Sequence, residues 1–176
     1  KALNIGVHDE VITVSNTAIP TAAAIRSVGA TIKFVDVGTD YLIDVEKIKN
    51  AITKKTKAII PVHLYGQSCE MNKIINIAKE YKLKIIEDCA QAQGAEYDNI
   101  KVGNFGDTGC FSFYPTKILG AYGDGGFVVT SNFEIYKKLK RLRFYGLEKN
   151  DRNGDKNESN NLEKVLCNHC GRTASN

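Results

Sequence analysis

Lys57-Ala58-Ile59-Ile60-Pro61-Val62-His63 is an almost unbroken apolar run between a lysine and a histidine. A strand that is apolar at successive positions must be covered on both faces, which is the condition of a parallel sheet sandwiched between helices. Working outward, short runs rich in β-branched residues recur, and strands are predicted at 10–14, 31–35, 58–62, 84–87, 109–113 and 126–130. Between them, Val45, Ile48, Ala51 and Ile52 share one face of a helix, as do Ile74, Ile77, Ala78 and Tyr81. A last helix is predicted from about 132 to 142, with Asn132 as its N-cap and Phe133, Tyr136, Leu139 and Leu142 spaced for burial. Strand and helix alternate, so the fold class is α/β with a mostly parallel sheet.

Of the 176 residues, 43% are hydrophobic, enough to bury one sizeable core. The net charge of +4 arises from 24 basic and 20 acidic side chains that are dispersed, a balance that suits an enzyme better than a nucleic-acid binder. Lys137, Lys138, Lys140, Arg141 and Arg143 read as the solvated face of one helix, with a basic nucleic-acid surface as the rival reading. No stretch approaches the roughly 18–20 apolar residues of a membrane span, and residues 1–10 lack the apolar centre of a signal peptide. A cytoplasmic protein without a membrane partner is expected. Its five cysteines, an odd number, are expected to be reduced.

Residues 1–149 are expected to be one domain and 150–176 a polar tail, disordered or foreign to the fold. Within that tail, Cys167-Asn168-His169-Cys170 offers two of the four ligands zinc usually takes, and Gly171 stands where haem attachment would need histidine. No metal site is expected. Lys1 to Gly6 reads as the end of a helix, so the domain is expected to begin upstream of Lys1 and to be truncated at both ends.

Three features stand at or just beyond the ends of predicted strands, where ligands of open α/β sheets bind. Asp88 emerges from the apolar run Ile85-Ile86-Glu87, placed to meet a cationic group such as a protonated pyridine nitrogen, or to act as a cap or an ion-pair member. Phe111-Ser112-Phe113-Tyr114-Pro115-Thr116-Lys117 carries a hydroxyl and a lysine past a strand that Pro115 must end. Lys117 is then either a nucleophile among aromatic neighbours or a surface lysine on a turn. Gly120 to Gly126 matches neither the Walker loop nor the dinucleotide fingerprint, and its glycines supply tight turns or a close approach of backbone to a ligand. His63, at another strand end, is open to a substrate contact or a structural role, and Cys89 reads as a packing residue.

The runs Glu87-Asp88-Cys89-Ala90-Gln91-Ala92-Gln93-Gly94-Ala95, Ser112-Phe113-Tyr114-Pro115-Thr116-Lys117 and Gly120 to Gly126 resemble, in order and spacing, the signature of the DegT/DnrJ-type sugar aminotransferases. His8 to Val14, Gly29 to Val37 and Pro61-Val62-His63-Leu64-Tyr65-Gly66-Gln67 are similar to earlier segments of the same family, and the resemblance covers roughly 2–146. It implies the large domain of an aspartate aminotransferase-like, type I fold that depends on pyridoxal 5'-phosphate. Residue by residue it implies Lys117 as the lysine that binds the cofactor covalently, Asp88 as partner of the pyridine nitrogen, Ser112 as a phosphate ligand and Gln91 as partner of the ring hydroxyl. Thr17, in the Asn16-Thr17 pair, is implied as a further cofactor-binding residue.

The implied reaction is amino transfer from L-glutamate (or glutamine) to a keto sugar linked to a nucleotide, carried out by a homodimer. Relatives that dehydrate carry histidine where Lys117 stands, which favours transamination. The chain departs from the family at Ala18, where an aromatic residue commonly stacks on the cofactor ring. The resemblance implies that a segment holding a Gly-Thr phosphate contact is expected upstream of Lys1, and that the family's smaller domain is expected outside this sequence. These departures leave open a regulatory homologue that binds cofactor or nucleotide sugar without turnover.

Overall fold

Apolar residues alternate in which face they bury, and this decides the layering. In the computed structural model, which describes residues 1–145 and the strand Glu163–Leu166, a seven-stranded sheet forms the middle layer. The chain runs β1 (Glu10–Val14), α1 (Ile19–Ser27), β2 (Thr31–Val35), α2 (Val45–Ala51), β3 (Thr56–Ile60), a 3-10 turn (Leu64–Gly66) and α3 (Met71–Tyr81). It continues through β4 (Lys84–Asp88), the two-residue β5 (Glu96–Tyr97) and β6 (Ile100–Lys101), β7 (Thr108–Ser112), β8 (Gly126–Thr130), α4 (Phe133–Arg143) and β9 (Glu163–Leu166). Ile12, Val14, Ile59 and Ile85 point to one face, against Val45 and Ile48 of α2 and Ile74, Ile77 and Ala78 of α3. Val11, Ala58 and Ile60 point to the other, against Ile25 of α1 and Ile5. Residues 58–63 of the run are thus buried on both sides, as their composition requires.

The sheet order is β2-β1-β3-β4-β7-β8-β9. β1, β2, β3, β4 and β7 pair in parallel, whereas β8 runs antiparallel to β7, and β9 antiparallel to β8. The chain turns from β1 to β2 on one side and then crosses to β3 on the other. A reversal of this kind is where open α/β sheets form their ligand crevice, at the carboxyl ends of the strands. All six expected strands form, with bounds shifted by at most two residues.

Close backbone packing carries β7 past the turn that follows β6. A Cβ on Gly109 would lie 2.4 Å from Cα of Gly103, which itself takes φ +91°. Both positions therefore require glycine.

Two expectations need correction, and one open alternative is decided. Residues 1–6 form a turn rather than a helix end, with Asn4 N–H on the Lys1 carbonyl at 2.9 Å and Asn4 at φ 57°. Asn132 does cap α4, accepting from the Glu134 and Ile135 N–H groups, but the buried residue is Ile135. Phe133 is 53% and Leu142 47% exposed, because the helix turns Ile135 toward the sheet, while Tyr136 and Leu139 between them are half-buried. Of the two roles left open for His63, full burial selects the structural one. The tail reading for 150–176 lies outside the described residues apart from β9, and Cys167 and Cys170 lie outside them too.

Gly109→Ala is expected to destabilise the protein by about 1–3 kcal/mol or to prevent its accumulation, because the new methyl meets backbone that cannot turn aside. A urea unfolding curve indistinguishable from wild type would contradict this packing.

Candidate active site

The carboxyl edge is organised by a carboxylate that the sequence reading passed over. Glu87, fully buried on β4, accepts from Phe105 N–H at 2.8 Å and Gly106 N–H at 2.7 Å on Oε1, and from Gly103 N–H at 2.7 Å on Oε2. His63 Nε2 lies 3.1 Å from the same Oε2, and His63 Nδ1 accepts the Cys69 N–H at 3.1 Å. Nδ1 is an acceptor, so the ring proton sits on Nε2 and is donated to Glu87. Four N–H donors from two segments, the exit of β3 and the turn between β6 and β7, thus converge on one carboxylate, a satisfied polar core.

Cys89 Sγ lies with His63 and Glu87 in a group whose ligand atoms are within 4.8 Å of one another. The histidine and glutamate atoms are already committed to these hydrogen bonds, so the cluster is read as a brace. Burial pushes the Cys69 thiol up to about 12 and the Cys89 thiol higher still, which leaves both protonated at neutral pH. Neither is a nucleophile.

Immediately after Glu87 the strand ends in Asp88, half-buried at the crevice. Its backbone is pinned to β3 and the segment beyond it, with Asp88 N–H on the Pro61 carbonyl and His63 N–H on the Asp88 carbonyl, both at 2.9 Å. Its carboxylate accepts from Ala90 N–H at 3.1 Å on Oδ1 and from the Thr21 hydroxyl at 2.7 Å on Oδ2. Thr17 Oγ1 lies 2.8 Å from Thr21 Oγ1. Thr17 thereby reaches Asp88 through a buried hydroxyl on α1 that the sequence reading did not single out.

Gln91 follows on the loop after β4. Its Oε1 accepts from Tyr65 N–H at 3.3 Å, which directs the amide nitrogen away from that contact. Gln93, a second residue with no role expected, donates from Nε2 to the carbonyls of Ala90 at 3.2 Å and Ser112 at 2.7 Å. That bridge ties the loop after β4 to the end of β7. Ser112 Oγ accepts from Tyr114 N–H at 3.2 Å and so keeps its own proton to donate.

Lys117 sits on the turn beyond β7, where its N–H meets the Tyr114 carbonyl at 2.8 Å. Ala121 N–H on the Phe113 carbonyl, also 2.8 Å, closes the loop around it. Gly120 makes that closure possible, since a Cβ there would come within 2.5 Å of the Pro115 carbonyl oxygen. Among the described residues no hydrogen bond or ion pair is seen at the Lys117 amine, so that group is left uncommitted. Thr17, Asp88, Gln91, Ser112 and Lys117 thus all stand on segments leaving the carboxyl edge, three of them joined to a neighbour by the Thr21 and Gln93 bridges. Lys117 is joined by its backbone alone.

A doubly wound sheet with a carboxylate, an amide, a hydroxyl and a free lysine at one edge defines an α/β enzyme scaffold of the aminotransferase type. The chain belongs to the DegT/DnrJ/EryC1/StrS aminotransferase family, whose pattern it matches over residues 1–171, beyond the stretch quoted for the resemblance. It is 52% identical over 149 residues to a dTDP-3-amino-3,4,6-trideoxy-alpha-D-glucose transaminase of Micromonospora megalomicea subsp. nigra, covering 84% of this chain and 40% of that protein. It is 53% identical over 147 residues to a UDP-N-acetyl-3-dehydro-alpha-D-glucosamine 3-aminotransferase of Acidithiobacillus ferrooxidans, covering 83% of this chain and 40% of that protein. The crystal structure of NtdA from Bacillus subtilis with bound cofactor PMP superposes with a TM-score of 0.80 at 36% identity, covering 96% of this chain and 38% of the other. The chain therefore spans about 40% of the length of the curated relatives it matches.

Glu87→Gln is expected to lower stability by about 3–5 kcal/mol, because an amide NH₂ would face backbone N–H groups in a buried site. Chemical denaturation showing a loss under about 1 kcal/mol would contradict the brace.

Proposed function

We propose that the protein transfers an amino group from L-glutamate (or glutamine) to a keto sugar linked to a nucleotide, using pyridoxal 5'-phosphate. The observation that carries this reading is that a carboxylate, a hydroxyl and a free lysine leave one sheet edge with complementary polarities. Asp88 presents an anion on which a ring N–H⁺ can rest, Ser112 a hydroxyl proton for a phosphate oxygen, and Gln91 an amide donor for a ring oxygen. This donor set fits pyridoxal phosphate. Family membership and the PMP-bound neighbour support the same cofactor.

When bound, the cofactor would withdraw electrons from the carbon bearing the amino group, making the proton on that carbon acidic. Lys117 would hold the cofactor through Nζ and afterwards move that proton, a role for which a turn lysine with an uncommitted amine is suited. Asp88 would keep the ring nitrogen charged, while Glu87 and His63 hold the end of β4 from behind. The exposed Ile118, Leu119 and Tyr122 on the lysine loop fit a homodimer in which a second copy covers this edge. Among the described residues no helix is long and apolar enough to cross a membrane, and the buried thiols of Cys69 and Cys89, which form no disulfide, suit a cytoplasmic protein.

The complete protein is expected to show a visible absorbance band with pyridoxal phosphate, which excess L-glutamate bleaches and a nucleotide keto sugar restores. Lys117→Ala should lose at least about a thousand-fold in turnover, on the order of removing a covalent catalyst. A cofactor band that neither glutamate nor glutamine changes would favour the regulatory reading instead.

A further inference from the structure

The Thr17 and Thr21 hydroxyls form a chain whose direction the geometry dictates. The Asp88 carboxylate accepts, so Thr21 Oγ1 donates its single proton to Oδ2 at 2.7 Å. At the 2.8 Å contact between the two threonines, Thr21 has then only lone pairs to offer, and Thr17 must be the donor. Both hydroxyl protons point inward, toward Asp88. Thr17 consequently faces the crevice as an acceptor and is unsuited to donating a hydrogen bond to a phosphate.

Thr21 is well placed to be more than filling. It is 7% exposed in the first turn of α1, and that helix is anchored through Ile25 in the cluster formed with Val11, Ala58 and Ile60. A β-branched side chain in a helix has few rotamers, so its hydroxyl is held where α1 puts it. The other donor to Asp88, the Ala90 N–H, belongs to the loop after the same strand. Thr21 is thus the side-chain contact through which α1 aims this carboxylate across the crevice, with one lone pair on each oxygen still open.

We infer that Thr21, supported by Thr17, is a positioning residue that aims Asp88 at the cofactor's ring nitrogen. This rests on the pyridoxal phosphate reading above. A charge-assisted hydrogen bond at this length fixes the carboxylate in one rotamer and favours the pair that Asp88 makes with the ring. Without it, Asp88 keeps its charge and loses its aim.

The test uses the complete apoprotein, titrated with pyridoxal 5'-phosphate and with 1-deazapyridoxal 5'-phosphate, which has carbon where the ring nitrogen stands. Thr21→Val removes the hydroxyl at nearly constant shape, and Thr21→Ser keeps it. The expected result is a roughly ten-fold weaker Kd for pyridoxal phosphate in the valine variant, no more than about two-fold for the deaza analogue, and near-complete recovery in the serine variant. An equal loss for both ligands would make Thr21 a packing residue, and no loss would make the chain irrelevant to the site. Either outcome overturns the inference while the cofactor reading stands. Wild-type protein that binds neither ligand would overturn both. If thermal melting finds the valine variant unfolded, Thr17→Val, which strips the outer donor, is read by the same ratio, with a smaller selective loss expected.

Discussion

The structure depends on one buried carboxylate. Glu87 lies in the middle of the sheet, where an anion without partners would be prohibitive, and it is stabilised by four N–H donors from His63, Gly103, Phe105 and Gly106. Those donors belong to the exit of β3 and to the turn between β6 and β7, so satisfying Glu87 requires both segments to converge on β4. Glycine at 103 and 109 lets the backbones approach closely enough for this. Asp88, the next residue, inherits its place from that convergence.

The carboxyl edge is then built as polar side chains with preset direction. Tyr65 N–H takes the oxygen of the Gln91 amide, Tyr114 N–H takes a lone pair of Ser112, and the Thr17–Thr21 chain delivers its protons to Asp88. Each contact fixes which donor or acceptor of the side chain remains unused. Binding energy is gained most efficiently when such groups need no reorganisation. Lys117 is the exception, because its loop is closed by backbone hydrogen bonds while its amine is left uncommitted.

Much of the fold was legible because the relevant signals are periodic. Apolar runs such as 57–63 and the Ile74-Ile77-Ala78 spacing of α3 depend only on burial, and the strands fall within two residues of their expected limits. α1 was missed because its apolar residues are mostly alanine and its amphipathic pattern is weak, although Pro20 at its start was a signal of a helix beginning. The burial of α4 was misplaced because a helix displays several possible stripes and only tertiary contact selects one. At the carboxyl edge, Asp88, Gln91, Ser112 and Lys117 stand out in the sequence through the common register of the motifs that carry them. Glu87, Thr21 and Gln93 do not, since their importance lies in contacts with residues up to 67 positions away. A charge inside an apolar strand was the available clue to Glu87, and it was read only for its neighbour.

The proposed function joins a set of polar groups at one sheet edge to the hydrogen-bonded brace behind β4. Its central claim is that this edge holds pyridoxal phosphate on Lys117. Borohydride reduction of the cofactor-loaded complete protein, followed by peptide mapping by mass spectrometry, tests that claim most directly. The account expects the pyridoxyl adduct on the peptide containing Lys117; an adduct confined to other lysines, or persisting in full after Lys117→Ala, would contradict it.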